Sequence, residues 1–283
     1  MNITVFRYML LRLRGQIIGW GLAVAALALL VASLYDAALQ LRGQLEQLLA
    51  TLPSELMMFV GGVDRVFSPA GFLDTRFFSM LPLLLGVFAV IIGSGLIAGD
   101  EENGTLDLIL AHPVRRFDLI IGRWLAFCAA LLGILAMAWL GLIIASSFTS
   151  IKFGWLDMAL PFVSLFGVLV WFGGLALLLS MIVPSRRLAA SLTGLILAAS
   201  YFITTFARIS PSLNGLARWS SFTYYQGGGA LEGFNTGDFV GLLFMSIVFV
   251  AIATWLFQRR NIRIAGEGGW RLPLLKRRSQ TSG

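Results

Sequence analysis

Asp100, Glu101 and Glu102 stand together; Gly104-Thr105 follows, then Leu106, Asp107, Ile109 and Leu110, with Pro113, Arg115 and Arg116 closing the run. Acids, a short apolar stretch, a proline and two arginines, in that order, suit docking rather than bond chemistry. Catalysis would need paired acids, a histidine cluster or a serine–histidine arrangement within the spans. The single histidine, His112, cannot build a zinc site alone, and the single cysteine, Cys128, excludes a disulfide framework. No G-x-x-x-x-G-K-[ST] phosphate loop occurs in the 283 residues.

Turn chemistry gives this run a shape. Gly104 suits the left-handed position just past a helix end. Thr105 suits the N-cap of a new short helix, and Asp107 favours the positive end of its dipole. Leu106, Ile109 and Leu110 then form one apolar face about one and a half turns long. Pro113 ends that helix and suits the first turn of the next. The expectation is a short helix along the membrane surface, presenting apolar knobs between acids and arginines to a groove on a soluble partner. On the residues alone, Arg115 and Arg116 serve equally well as headgroup anchors.

The elements around this run belong to a membrane. Hydrophobic residues make up 58% and charged residues 12% of the chain, with a mean hydropathy of +0.86. The apolar residues come in long runs, which predicts an all-α polytopic protein rather than a barrel. Six spans are predicted, over 17–35, 77–98, 119–148, 159–183, 188–207 and 239–257. Residues 1–15 predict an amphipathic interfacial helix that turns into the first span near Gly15, with Phe6, Met9, Leu10 and Leu13 on one face. The first span exceeds a typical signal-peptide core of about 7–15 residues and is expected to stay uncleaved. Residues 1–283 thus read as one transmembrane domain, with a basic tail over 258–283.

Orientation follows from the basic residues. With the N-terminus inside, 15 of the 21 lysines and arginines fall on the inner side. Both termini are then cytoplasmic, the 100–116 run is cytoplasmic, and the plasma (inner) membrane is the expected location. The net charge of +7 is explained by these flanks, seven of the basic residues lying after the last span, where anionic lipid attracts them. No soluble basic face exists for nucleic acid. On the outer side, Ala37–Leu52 reads as helix stopped by Pro53. The stretch from Arg208 to Asp238 reads as a re-entrant hairpin with Trp219, Tyr224 and Tyr225 in the interfacial belt. Gly93, Gly95, Gly173 and Gly174 predict close helix approach.

The run from Asp100 to Arg116 resembles the loop after the second span in the membrane subunits of type-2 ATP-binding-cassette (ABC) permeases, mostly exporters. Their pattern is E-x-E-x-G-T-L-E-L-L-L-A-x-P-V-S-R followed by G-K. This chain has Asp100, Glu102, Gly104-Thr105-Leu106, Asp107, Leu108-Ile109-Leu110-Ala111, Pro113-Val114 and Arg116, then Gly122-Arg123. Arg115 stands where serine is usual. Ser221-Phe222-Thr223-Tyr224-Tyr225 resembles the family's S-P-F-x-Y-Y without its proline. The resemblance implies a permease subunit that pairs with a second one, as homodimer or heterodimer. It also implies coupling through residues 100–116 to a separate ATPase subunit, which binds the ATP and Mg; this chain would hold no cofactor itself.

The centres of the spans hold almost no ionisable residues, which argues against a proton- or ion-driven transporter. Phe78, Met80, Phe88, Trp171 and Phe172 are candidates to line a cavity for an amphipathic or lipid-like substrate or drug. Two readings compete with export. One is a sensory or regulatory ABC-type membrane subunit, and the other is a membrane-embedded enzyme, for which the chain lacks the residues.

Overall fold

The computed structural model describes residues 3–40, 42–43, 67–111, 115–207 and 210–259, with only the backbone of Asp107, Leu110 and Pro211. Among them, six helical segments are long and apolar enough to cross a membrane: Ile3–Gln40, Pro69–Gly95, Arg116–Phe148, Asp157–Ile182, Arg186–Ala207 and Thr236–Arg259. They are called the first to sixth spans. Each coincides with a predicted span to within a few residues, except that the first and second begin earlier. No strand occurs among the described residues. The predicted helix past Gly43, its stop at Pro53 and the basic tail beyond Arg259 lie outside the described residues.

The first span departs from expectation. It is one unbroken helix of 38 residues with no turn at Gly15, so a separate interfacial helix over 1–15 is not what forms. At 1.5 Å per residue it is about 57 Å long, against a hydrocarbon core of about 30 Å. One helical glycine costs only about 1 kcal/mol, and packing on the third span outweighs it. Met9 and Leu13, ahead of Gly15, are buried. The two helices run parallel in near-constant register: Val5 packs at Gly122, Ile17 at Gly133, Gly21 at Met137 and Ala25 at Gly141. At the far end the Asp36 carboxylate accepts the Ser150 N–H at 3.1 and 3.3 Å.

The fourth span is the most enclosed of the six and the fifth the least. The second and fourth spans meet backbone to backbone, as the glycines predict. A Cβ built on Gly93 would lie 2.5 Å from the Gly173 carbonyl oxygen. On another side of the fourth span, the Ser246 hydroxyl donates to Val170 O at 3.0 Å, drawing in the sixth. Phe77, Phe78 and Phe162 pack edge to face, with Phe78 and Phe162 5.4 Å apart between ring centroids.

Between the fifth and sixth spans the chain forms short helical turns, Pro211–Leu213, Asn214–Ala217, Ser221–Tyr224 and Gly227–Leu231. Ser220 Oγ donates to Ser200 O at 3.1 Å, so this segment returns alongside the fifth span, about 10 Å back from its end at Ala207. Its later part packs on the start of the second span. There the Asp74 carboxylate accepts the Gly228 N–H at 2.7 Å, and the Tyr225 hydroxyl donates to Phe78 O at 2.9 Å. Burial, reinforced by the Asp74 carboxylate, raises the Tyr225 hydroxyl well above its ordinary pKa, so it remains a donor.

Candidate coupling site at the basic end of the bundle

The second span stops at Gly95, and the chain resumes as a short helix over Ala98–Glu102. That interruption exposes carbonyls, and arginines from other spans answer them. Arg123 of the third span donates to Leu96 O. Arg186, at the start of the fifth, donates to Ile91 O at 3.2 Å. Its guanidinium occupies the place a side chain on Gly95 would take, 2.8 Å from an ideal Cβ. Cations near a helix C-terminus also oppose its negative dipole end.

The helix Ala98–Glu102 ends as the sequence predicts. Gly104 has φ of 68°. Gly104 N donates to Glu101 O at 3.2 Å and Thr105 N to Asp100 O at 2.9 Å, the paired bonds of a Schellman motif. The Thr105 carbonyl then takes the first bond of the helix Leu106–Leu110, from Ile109 N at 3.2 Å.

Asp100 does not face outward. It is 5% exposed, and its carboxylate meets Arg123 Nη2 at 2.5 Å and Arg12 Nη1 of the first span at 3.1 Å. Arg123 is itself buried. A charge in that position needs a partner, and this one has two. Glu102 reaches elsewhere. Its Oε1 accepts the backbone N–H of Arg186 at 2.8 Å. With Ser185 Oγ accepting from Leu188 N, it covers the positive end of the fifth span. Glu101 is half-buried and Arg115 exposed. Arg116 Nη1 donates to Phe257 O of the sixth span at 3.2 Å, with its guanidinium 5.6 Å from that ring's centre.

The apolar face of the short helix is also turned around. Leu106 is 2% exposed and Ile109 packs beside it on the core. The knob presented outward is Leu108, 68% exposed. Burial of apolar surface decides this, because the helix lies against its own bundle and gives it the Leu106 side. Pro113 and His112 lie outside the described residues, as do the side chains of Asp107 and Leu110.

A model of the ABC-2 family of transporter proteins matches residues 17–262. The chain belongs to that family. It is accordingly the membrane-spanning permease subunit of an ABC transporter, a transport component that works with an ATPase. No match was found among curated proteins.

In this ABC-2 permease the five expected cavity residues are scattered. Phe78, Phe88 and Phe172 are buried in the packing of the bundle, each at most 2% exposed. Met80 is exposed, and Trp171 borders a cleft. No group of three or more potential metal ligands occurs among the described residues. Arg12 and Arg186 carry no local sequence signal of these contacts, being two among many basic residues near span ends. The usable signal was Arg123 inside a helix of apolar residues, since such a charge implies a partner nearby.

Proposed function

We propose that this permease subunit forms half of a dimeric export path for an amphipathic or lipid-like substrate. A separate ATPase subunit holds ATP and Mg and drives the path through residues 100–116. The observation that carries this reading is the attachment of that segment. Asp100 ties it to the first and third spans, Glu102 to the fifth and Arg116 to the sixth. A push on Leu108 therefore reaches four other helices within a few residues of the contact. Such a push does work only if the ATPase docks differently in its two nucleotide states. The basic end carrying the segment faces the cytoplasm of a plasma membrane in this reading, with both termini on that side, in keeping with the distribution of lysine and arginine.

Reconstitution tests it. Vesicles holding the permease with its ATPase should move a fluorescent amphiphile when ATP is present on the basic side. Movement that is equal without ATP, or ATP turnover with no movement, contradicts export.

A further inference from the structure

At the end opposite the coupling site, a cleft of about 350 Å³ opens between the fourth span, the turn around Arg218–Tyr224 and the start of the sixth span. Its mouth carries Arg218, Trp219 and Asp238. Trp171, Leu242 and Met245 line it farther along the spans, Leu242 buried and Met245 exposed. Met245 lies about 14 Å along the sixth span from its start at Thr236. The cleft is polar at one end and apolar at the other.

Two observations point to a ligand. Arg218 and Asp238 both line the cleft, yet they form no ion pair with each other, and Arg218 has no carboxylate partner among the described residues. Asp238 Oδ2 accepts from Asn235 Nδ2 at 2.9 Å, while Oδ1 has no partner among the described residues. An interfacial aromatic belt accounts for Trp219 and Tyr224; it does not account for two unmatched opposite charges in one cleft.

We propose that this cleft binds the zwitterionic headgroup of a phospholipid. Arg218 takes the phosphate, and Asp238 with the aromatic lining takes the ammonium. Guanidinium suits a phosphate in charge and in fork geometry. A carboxylate beside aromatic rings suits an alkylammonium. The acyl chains begin against Leu242 and Met245, and a cleft of this size holds a headgroup and the start of the chains rather than a whole lipid. The inference deepens the proposed export of amphiphiles by naming a headgroup chemistry, and it takes the outer orientation from that reading. Binding is nevertheless measurable without ATPase or ATP. Its failure leaves export standing, and a failure of export leaves the binding result intact.

The purified full chain in detergent, offered equimolar phosphatidylethanolamine and phosphatidylglycerol, is read by native mass spectrometry. Phosphatidylethanolamine should be retained at least about fivefold over phosphatidylglycerol. Asp238→Asn should bring that ratio near one, and Arg218→Gln should lower retention of both lipids. Equal retention of the two lipids by the unaltered chain overturns the proposal, as does a ratio and occupancy unmoved by Asp238→Asn and Arg218→Gln. Soluble phosphoethanolamine bound as tightly as the lipid overturns the assignment to a membrane ligand. Arg218 is exposed and Asp238 keeps its Asn235 bond as asparagine, so both variants fold.

Discussion

Arg123 Nη2 lies 2.5 Å from Asp100 Oδ2, with both side chains almost wholly buried where the third span passes the end of the second. The acid comes from the short helix that continues the second span, and the base from a helix reached only after the 103–115 segment. Their contact closes that loop at its base. It makes Asp100 a structural acid of the node rather than part of its outer surface, and it leaves Glu102 and Leu108 on the exposed side.

Removing Arg123 leaves the buried Asp100 carboxylate with one partner, Arg12, in place of two. Arg123→Met is expected to destabilise the protein by ~1–3 kcal/mol. Arg123 also donates to Leu96 O, so that carbonyl is orphaned as well. Thermal unfolding in detergent checks this. Asp100→Asn combined with Arg123→Met should lose less than the two single changes added together, because each single change already breaks the same contact.

The contact of the second and fourth spans gives a second expectation. Gly93 faces backbone, the Gly173 carbonyl, which cannot move aside as a side chain can. Gly93→Val should lower stability by about 1–3 kcal/mol. Gly194, in the fifth span, has open space where its Cβ would go. Gly194→Ala should be neutral or stabilising by up to about 1 kcal/mol. Equal melting temperatures for the two variants would remove the close-approach argument.

Gly104 offers a third. Its φ of 68° is left-handed, where a Cβ costs about 1–2 kcal/mol and asparagine is tolerated best after glycine. Gly104→Ala should lower ATPase co-purification and ATP-driven flux, and Gly104→Asn should largely restore both. An alanine variant indistinguishable from the parent in both assays would contradict the role of this turn.

How much of this was legible in the residues differs from feature to feature. The spans were legible because about 20 apolar residues in a row permit little else. Gly104 and the pair Gly93–Gly173 were legible because backbone geometry there admits almost no other residue. The unbroken first span was not. Gly15 among charged and apolar neighbours looks like a break until the third span is present to pack against. The face of the short helix was misread for a related reason. Five residues carry too few turns to mark a stripe, so Leu106 and Leu108 differ only by which side the bundle covers. Asp100 read as a surface acid because its partners, Arg12 and Arg123, lie 88 and 23 positions away in sequence. The cleft by Asp238 was equally invisible, since it joins segments from both ends of the fourth-to-sixth span region.

The inward and outward leucines separate folding from docking. Leu106→Ala should cost about 2–5 kcal/mol of stability, as burial of that side chain requires. Leu108→Asp should leave melting within about 0.5 kcal/mol of the parent, an exposed change away from any packing. It should nevertheless abolish co-purification with the ATPase. Loss of stability at Leu108, or none at Leu106, would reverse the assigned face.

Site-directed cross-linking tests the coupling assignment most directly. Cys128 is the single native cysteine, so Cys128→Ser supplies a background in which one thiol is placed at will. In that background, Leu108→Cys should form a covalent adduct with the co-expressed ATPase subunit through a short thiol–amine reagent. Phe148→Cys, 83% exposed at the opposite end of the third span, should form none. No adduct at position 108, or equal adducts at both positions, would contradict the coupling of ATP hydrolysis through this segment.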